Sequence, residues 1–297
     1  MKCTRCSQKA IIQLRHHKTA FCSACFINYF RKQLVRALDR ERMFSPADRV
    51  LVAVSGGKDS LSLWHILAEM GYQVDGLHLD LGLGDYSRQS REKVEGFARR
   101  AGLALTVIET RQETGLDVPG LAAKTRRKSC SVCGQVKRYI FNQTAWQGGY
   151  LALATGHNLD DEGARLLGNT LRWNTDFLAR QRPVLPAQGE RLVRRVKPLF
   201  RLTEKETAAY AFLTGIDYLA QECPYARGAS SLVYKRALNL LEEASPGSAS
   251  QFYLDFVQKA GSLFPDETRA NLANCRQCGQ PTPVEVCSFC RLIGRSS

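Results

Sequence analysis

Residues 49–60 read Arg-Val-Leu-Val-Ala-Val-Ser-Gly-Gly-Lys-Asp-Ser, and this stretch decides the fold. The run 50–54 is too short for a helix and is apolar throughout, as in a strand buried on both faces. Gly56 and Gly57 can adopt positive φ and bring backbone N–H groups close to a phosphate. The helical pattern that follows presents an amino end that favours anions. The stretch therefore predicts a strand, a phosphate-binding loop and a helix.

The loop also supplies side-chain donors and charge. Ser55 and Ser60 add hydroxyl groups, and Lys58 adds a positive charge. The pattern matches neither Gly-x-x-x-x-Gly-Lys-Ser/Thr nor Gly-x-Gly-x-x-Gly. Ser-Gly-Gly-Lys-Asp-Ser instead resembles the PP-loop of N-type ATP pyrophosphatases, which implies cleavage of ATP between its α and β phosphates and transient adenylation of a substrate. The alternative is a glycine turn that binds nothing.

Length and charge set limits on the class of protein. A chain of 297 residues suits one large domain with small appendages, or two modest domains. Its net charge of +14 and pI near 9.4 favour a polyanionic partner or an anionic membrane surface. The sequence contains no apolar run of about 18 residues and opens on Met1-Lys2-Cys3, so we expect a soluble, cytoplasmic protein that does not enter a membrane.

Two sets of four cysteines lie near the ends of the chain. Each consists of two Cys-x2-Cys pairs, separated by fifteen residues in the first set and by eight in the second. This spacing predicts two closed, structural Zn²⁺ sites. The predicted ligands are Cys3, Cys6, Cys22 and Cys25 at one end and Cys275, Cys278, Cys287 and Cys290 at the other. His16 and His17 could replace a ligand, although we interpret them as an exposed basic turn.

Short apolar runs and helical patterns alternate after the loop. Strands are predicted at 50–54, 74–79, 104–108 and 150–155, and helices at 26–43, 87–101, 131–147 and from 160 onward. Such βαβ alternation predicts an α/β fold with a doubly wound parallel sheet, whose ligands bind at the carboxyl ends of the strands. The loop 55–60, the segment 78–80 and the segment 156–162 all fall at that edge.

The segment 156–162 reads Gly-His-Asn-Leu-Asp-Asp-Glu and resembles a second block of the same family. Asp160 and Asp161 at a helix start could hold Mg²⁺ against a pyrophosphate. Asp160 could instead cap the helix. We therefore favour Asp161 as the carboxylate that takes part in the reaction. His157 is expected to position other groups.

A third cysteine pair, Cys130 and Cys133, lies in a strongly basic segment. Residues 118–159 contain no carboxylate, while six Lys or Arg fall within 124–138. We expect this charge to depress the pKa of the thiols and to attract phosphate. The pair could be a redox dithiol, half of a zinc site or two ligands of an iron–sulfur cluster. Cys223, in Glu-Cys-Pro, supplies a third thiolate from far along the chain.

Taken together, these motifs resemble the TtcA/TtuA family of tRNA sulfurtransferases, essentially from end to end. The resemblance implies a HUP-like PP-loop fold and a [4Fe-4S] cluster on Cys130, Cys133 and Cys223, with one iron open to the transferred sulfur. It adds Lys137 and Asp161 as further catalytic residues. A persulfide on one cysteine, resolved by another, is the competing mechanism. The implied ATP-binding residues are Ala53, Ser55, Gly56, Gly57, Lys58, Asp59, Ser60, Leu79, Lys137, Gly156 and Asp161.

The function implied is ATP-dependent 2-thiolation of tRNA, with 5-methyluridine at position 54 as the best candidate. Thiolation of a wobble uridine or of cytidine 32 is an alternative, as are a PP-loop ligase or amidotransferase acting on a small molecule and an RNA-binding protein without turnover. The implied partners are tRNA and a ubiquitin-like sulfur carrier or another sulfide donor. A homodimer is compatible with the resemblance.

The sequence suggests five segments along the chain. They are an N-terminal zinc finger (1–27), a basic connecting helix (28–48), the PP-loop domain (49–245), a helical linker (246–272) and a C-terminal zinc ribbon (273–297). Within the PP-loop domain, residues 172–201 carry eight Lys or Arg against two acids. With their prolines, they predict a largely irregular basic loop at the mouth of the site.

Overall fold

Strand β3 (Val50–Ala53) lies at the centre of a six-stranded sheet in the computed structural model of this chain. Val50 and Val52 pack into one buried cluster, and Leu51 and Ala53 pack into another on the opposite face. A buried Val or Leu stabilises the folded state by about 1.5–3 kcal/mol, so this strand anchors both layers of helices. The predicted strand buried on both faces is confirmed.

The structure describes residues 1–226, 230–264 and 272–294. Residues 265–271 of the predicted linker and 295–297 of the predicted C-terminal ribbon lie outside the described residues. The strands are β1 (Ile12–Leu14), β2 (Thr19–Phe21), β3, β4 (Val74–Asp80), β5 (Leu105–Glu109), β6 (Ala152–Thr155), β7 (Val184–Leu185), β8 (Arg194–Val196), β9 (Ala273–Asn274) and β10 (Pro281–Thr282). The helices are α1 (Ser23–Arg40), α2 (Lys58–Glu69), α3 (Asp85–Ala101), α4 (Thr110–Thr114), α5 (Val118–Thr125), α6 (Ser129–Gln147), α7 (Leu159–Leu171), α8 (Thr175–Ala179), α9 (Glu204–Leu213), α10 (Ser230–Ala244), α11 (Ser248–Leu263) and α12 (Ser288–Ile293). No helix among these residues is both long and apolar enough to cross a bilayer.

The main sheet has the strand order β5-β4-β3-β6-β8-β7. All neighbours pair in parallel except β7, which runs antiparallel to β8 at one edge. The doubly wound sheet is therefore confirmed, with one antiparallel edge strand that was not predicted. Because the chain runs outward from β3 through β4 and β5 and then returns to β6, the direction of winding switches between β3 and β6. This switch point opens a crevice at the carboxyl ends of the strands.

The prediction of a largely irregular basic loop for residues 172–201 is confirmed for most of the segment, which nevertheless contains three short elements that were not predicted. The segment forms α8 and contributes β7 and β8 to the main sheet. Arg194 pairs in register with Ala152 at the amino end of β6, and its guanidinium donates to the carbonyls of Arg42 and Met43 at 2.9 and 3.0 Å. That end of the sheet is opposite the predicted site, so Arg194 does not line the mouth of the crevice.

The N-terminal four-cysteine module is continuous with α1. Cys22 is the N-cap of α1, and Phe26, Phe30 and Leu34 on this helix are fully buried in the largest core cluster. The predicted boundary after residue 27 thus falls inside a helix.

A carboxylate from α9 joins the N-terminal module to the rest of the chain. Buried Glu206 accepts a hydrogen bond from the Tyr29 hydroxyl at 2.7 Å and lies 3.6 Å from Nε2 of His16. His16 is therefore an internal contact and not part of an exposed basic turn, whereas His17 beside it is exposed.

The C-terminal four-cysteine module packs on α5 and α6. Cys275, Cys287 and Cys290 share a buried cluster with Val132 and Val136 of α6. The rings of Tyr139 and Phe289 stack with centroids 3.6 Å apart. Arg191 also holds the C-terminal module in place, because it donates to the Cys278 carbonyl at 3.3 Å and lies over the Trp146 ring of α6.

Helices α10 and α11 pack against α7. Between them, Glu162 of α7 is fully buried and pairs with Lys197 at 2.6 Å, while the Tyr253 hydroxyl of α11 lies 3.2 Å from the same carboxylate oxygen. A buried carboxylate is stable only with such partners. The contact fixes α7, and with it the start of α7 at the carboxyl edge of the sheet.

Candidate active site

The loop between β3 and α2 is closed by its own serines. The Ser60 hydroxyl donates to the Gly57 carbonyl at 3.1 Å and accepts from the Ser55 amide at 3.1 Å. Gly56 has φ +79°, and a Cβ there would lie 2.7 Å from the Ser90 carbonyl oxygen of α3. Only glycine satisfies both conditions, because an L side chain is strained at this φ and would clash. The remaining donors of the first turn of α2 face the crevice and suit a phosphate.

A cavity of about 350 Å³ occupies the crevice. Most of the predicted ATP-binding residues line it, namely Ala53, Ser55, Gly57, Asp59, Ser60, Leu79, Lys137, Gly156 and Asp161. The loop after β6 approaches α2 closely, since a Cβ on Gly156 would lie 2.8 Å from the Ser60 amide nitrogen. Two predicted residues do not line the cavity: Gly56 faces Ser90, and Lys58 turns toward α9.

Lys58 belongs to a chain of alternating charges beside the cavity. Its ammonium group lies 3.0 Å from Asp59 and 2.8 Å from Glu204, while Lys235 of α10 lies 2.7 Å from both Glu204 and Asp161. Partial burial alone would raise the pKa of Glu204, but the two lysines outweigh it and hold the pKa at about 2. Glu204 therefore stays ionised and fixes both ammonium groups at the rim of the cavity.

The two carboxylates predicted to share Mg²⁺ point in different directions. Asp160 accepts from the Glu204 amide at 2.7 Å and thereby caps α9, while Asp161 lines the cavity. The cap of α7 itself is Asn158, which forms a capping box with Asp161 and also donates to Asp59 at 3.1 Å. The carboxylates that do face the cavity together are Asp59 and Asp161. They offer the oxygen ligands that Mg²⁺ prefers.

His78 of β4, in the segment 78–80 that was expected at this edge, also faces the cavity, although no chemical role was predicted for it. Its side chain is buried, Nδ1 lies 2.9 Å from the Val54 carbonyl, and Nε2 has no partner within the described residues. The carbonyl accepts only, so Nδ1 carries the proton and Nε2 presents a lone pair. Burial lowers the pKa of His78, which keeps the imidazole neutral. A ligand in the cavity would therefore satisfy Nε2 by donating a hydroxyl or amino hydrogen.

Replacing His78 with asparagine should raise the KM for ATP about tenfold with little change in kcat, because one hydrogen bond to a buried acceptor is lost. The Asn amide can still donate to Val54, so the strand is preserved. His78→Gln, whose amide oxygen reaches the position of Nε2, is the matched control and should recover most of the affinity. Equal KM values for all three proteins, measured by AMP release, would place the imidazole outside the nucleotide site.

Two of the three central cysteines, Cys133 and Cys223, line the same cavity as the loop. Cys130 is exposed beside them and donates from Sγ to the Tyr225 carbonyl at 3.1 Å, which ties the first turn of α6 to the segment after Cys223. The structure does not bring the three sulfur atoms into a set that all lie within 4.8 Å, as it does for the terminal cysteines. A four-iron cluster is larger than a zinc ion, so its ligands need not approach so closely. Three free thiols converging from two elements fit such a cluster.

The predicted depression of thiol pKa is wrong for Cys133. Burial raises the pKa of this thiol, and Lys137, one helical turn away on α6, only partly offsets the effect. Tyr86 of α3, which the sequence did not indicate, completes the wall near the cysteines. Burial and the neighbouring Cys223 and Cys133 raise the pKa of Tyr86.

The terminal cysteines form two compact clusters, in each of which the four sulfur atoms lie within 4.8 Å of one another. Cys6 lies 3.5 Å from Cys22 and 3.6 Å from Cys25, and Cys278 lies 3.7 Å from Cys287, all between sulfur atoms. Four sulfurs bound to one zinc ion at about 2.3 Å lie about 3.8 Å apart, so the clusters fit zinc. Amides support them, including Arg5 to Cys3 at 3.4 Å and Cys287 to Cys275 at 3.2 Å.

Comparison with known families agrees with this geometry. A model of the PP-loop domain matches residues 27–227, and a model of the N-terminal LIM domain of 2-thiouridine synthetase TtuA matches residues 2–27. The PP-loop match begins in α1, 22 residues before the segment 49–245 predicted from the sequence, and ends 18 residues before that segment does.

Individual relatives match along almost the whole chain. The tRNA-5-methyluridine(54) 2-sulfurtransferase of Thermus thermophilus is 47% identical over 292 residues, which cover 98% of this chain and 91% of the relative. The protein of the same name from Pyrococcus horikoshii is 40% identical over 294 residues, which cover 99% of this chain and 94% of the relative. Among solved structures, the U34-tRNA thiolase NcsA from Methanococcus maripaludis with its [4Fe-4S] cluster superposes with a TM-score of 0.84 at 24% identity, covering 99% of this chain and 96% of that one. This last similarity establishes the fold.

Proposed function

Because this chain belongs to the family of tRNA-5-methyluridine(54) 2-sulfurtransferases, we propose that it uses ATP to replace the C2 oxygen of a tRNA uridine with sulfur. The nucleotide proposed is 5-methyluridine at position 54. One observation carries the proposal: the PP-loop, Lys137 and the thiols of Cys133 and Cys223 line a single cavity. Activation by ATP and delivery of sulfur can therefore occur at one carbon atom without release of an intermediate.

The reaction follows from this placement. The C2 oxygen of the uridine attacks the α-phosphorus of ATP, and the bond to the β-phosphate breaks so that pyrophosphate leaves. Sulfide then adds at C2, and AMP departs with the original oxygen. The loop amides and the first turn of α2 hold the pyrophosphate, and Lys137 offsets negative charge between nucleotide and base.

We assign the metal groups as follows. Asp59 and Asp161 would hold Mg²⁺ against the phosphates, because carboxylates beside a triphosphate need a cation between them. Cys130, Cys133 and Cys223 would hold a [4Fe-4S] cluster, which supplies an iron with an open position for sulfide. The two terminal cysteine sets would each hold a structural Zn²⁺.

The partners proposed are tRNA and a sulfide donor, which we take to be a ubiquitin-like carrier ending in Gly-Gly. We place the enzyme in the cytoplasm, where tRNA is modified and where thiols stay reduced. A homodimer is also proposed. Light scattering during size-exclusion chromatography would test it.

Deletion of the gene should remove 2-thio-5-methyluridine from tRNA, and the purified holoenzyme should restore it in the presence of ATP and sulfide. Mass spectrometry of nucleosides measures both effects, and sequencing of the modified fragment locates position 54. Loss of a thiolated wobble uridine or cytidine instead would reassign the nucleotide. Activity on a free nucleoside equal to that on tRNA would point to the small-molecule class of PP-loop enzyme.

A further inference from the structure

A second cavity of about 440 Å³ lies between α7 and α10 and adjoins the nucleotide cavity. The two share His157 and Asp161, so a chain that fills the second cavity can reach the reacting atoms in the first. The remaining wall carries three cationic side chains, Arg165, Arg172 and Lys235.

The charge of this second cavity favours an anion. Asp161 is the only carboxylate among the described residues that line it, and Lys235 already pairs with Asp161 at 2.7 Å. Arg165 and Arg172 are exposed, and neither guanidinium forms an ion pair in the described part of the chain. Two unpaired guanidinium groups on one wall are suited to phosphate oxygens, which they can bind with paired N–H donors.

The cavity also has an aromatic wall that is held in place by a glycine. A Cβ on Gly168 of α7 would lie 2.7 Å from the ring of Tyr234. The Tyr234 ring, which belongs to α10, therefore packs directly on the backbone of α7. Arg172 lies over the same ring at 5.8 Å from its centroid. A base entering the cavity would thus meet a flat surface formed by an aromatic ring and a guanidinium group, both of which stack on bases.

Two further aromatic side chains are exposed shortly after Arg172 in the chain. Trp173 directly follows the last turn of α7, adopts φ +48° and leaves 74% of its surface exposed. Glycine is the usual residue at this position, and a bulky residue there costs about 1 kcal/mol. The conformation closes α7, because the Trp173 amide donates to the Thr170 carbonyl and the Asn174 amide donates to the Asn169 carbonyl, both at 3.0 Å. These bonds use only backbone atoms, so the exposed indole is not needed for the cap. Phe177 of α8 is 57% exposed nearby in sequence, with Arg180 over its ring at 5.7 Å.

We propose that the cavity between α7 and α10, together with Trp173 and Phe177, binds unpaired nucleotides of the tRNA that flank the one being modified. Arg165 and Arg172 would contact phosphates, while Tyr234 and Trp173 would stack on bases. This inference rests on the proposed function and extends it to a defined RNA surface. Unpaired loop nucleotides fit better than duplex, because bases within an A-form helix cannot reach aromatic side chains.

The double variant Arg165→Ala/Arg172→Ala should bind tRNA at least tenfold more weakly, and the slope of log K against log salt concentration should fall by about one to two. The matched control is Arg99→Ala/Arg100→Ala. These two exposed arginines end α3 at the amino side of the sheet, so their loss changes net charge equally while leaving tRNA affinity within about twofold of wild type. Fluorescence anisotropy of labelled tRNA with the anaerobic holoenzyme gives both quantities. Zinc content and thermal melting verify folding.

Trp173→Ala should weaken tRNA binding about tenfold without changing the salt slope, since stacking is lost but no charge is removed. Trp173→Phe should retain most of the affinity. Trp173 is the most exposed tryptophan described, so quenching of its fluorescence by tRNA should disappear in the Phe variant.

Equal weakening by both arginine pairs would mean that only total charge matters and would overturn the inference. Unchanged tRNA affinity in Arg165→Ala/Arg172→Ala would also overturn it and would leave the surface to a protein partner. Both outcomes leave the proposed function intact provided that the wild-type enzyme thiolates tRNA. A wild-type enzyme that binds tRNA but never thiolates it would instead refute the proposed function.

Discussion

Changing Cys133 to alanine should bleach the anaerobically purified protein and abolish thiolation, while two zinc ions per chain remain bound. Cys130→Ala and Cys223→Ala should do the same, because a cluster held by only three thiolates cannot lose one of them and remain bound. The terminal cysteine sets are separate four-ligand groups and should keep their zinc. Visible absorbance, iron and zinc analysis and thiolation of tRNA measure the four quantities.

The reciprocal variant is Cys6→Ala, in the exposed part of the N-terminal set. It should lower zinc from two ions to one per chain and leave the colour unchanged. If Cys133→Ala loses zinc, or if wild type takes up no iron during reconstitution, the persulfide mechanism becomes the better account.

Changing Asp59 to alanine should lower the rate of AMP formation by about two to three orders of magnitude, with the fold and zinc content intact. A carboxylate in the first turn of α2 repels a phosphate unless a cation lies between them, so removing it removes the cation's ligand at the reacting phosphates. Lys58→Ala should also lower the rate of AMP formation, because Lys58 holds both Asp59 and Glu204 in place.

Asp85→Ala is the matched control for this variant. Asp85 likewise occupies the first turn of a helix after a parallel strand, but its side chain is 83% exposed and lies against Arg88. Its loss should change the rate less than about twofold. Near-normal turnover by Asp59→Ala would show that the loop is only a turn between β3 and α2.

Features encoded in contiguous residues could be predicted from the sequence. The apolar run of β3 predicted a strand buried on both faces, and the glycine pair predicted the loop, in which Gly56 adopts φ +79° and Gly57 adopts φ −82°. The Cys-x2-Cys spacings likewise predicted the two terminal cysteine clusters. By contrast, β7 and β8 have two and three residues, too few for any periodic pattern.

Residues that reach the site through tertiary packing could not be predicted. Glu204 is the first residue of α9, and Lys235 lies within α10; neither helix carries a sequence motif. Only the packing of α9 on α2 and of α10 on α7 brings these two side chains together. The role of His78 depends on a carbonyl of the neighbouring strand. The basic segment 172–201 shows the converse error, because charges that are close in sequence were expected to lie together at the site, whereas Arg194 lies at the amino end of the sheet.

Under the metal assignment proposed above, the stacking of the C-terminal module on α6 would make loading of the iron–sulfur site depend on the zinc site. Helix α6 carries Cys130, Cys133 and Lys137, and its apolar side is completed by residues around Cys275, Cys287 and Cys290. Binding of zinc by such a module is itself folding free energy. On the ribosome, those cysteines emerge long after α6, and domains fold as their segments become available. Maturation would then follow a fixed order, in which zinc capture late in translation precedes loading of iron, and a cell short of zinc would lose a reaction in which zinc takes no chemical part.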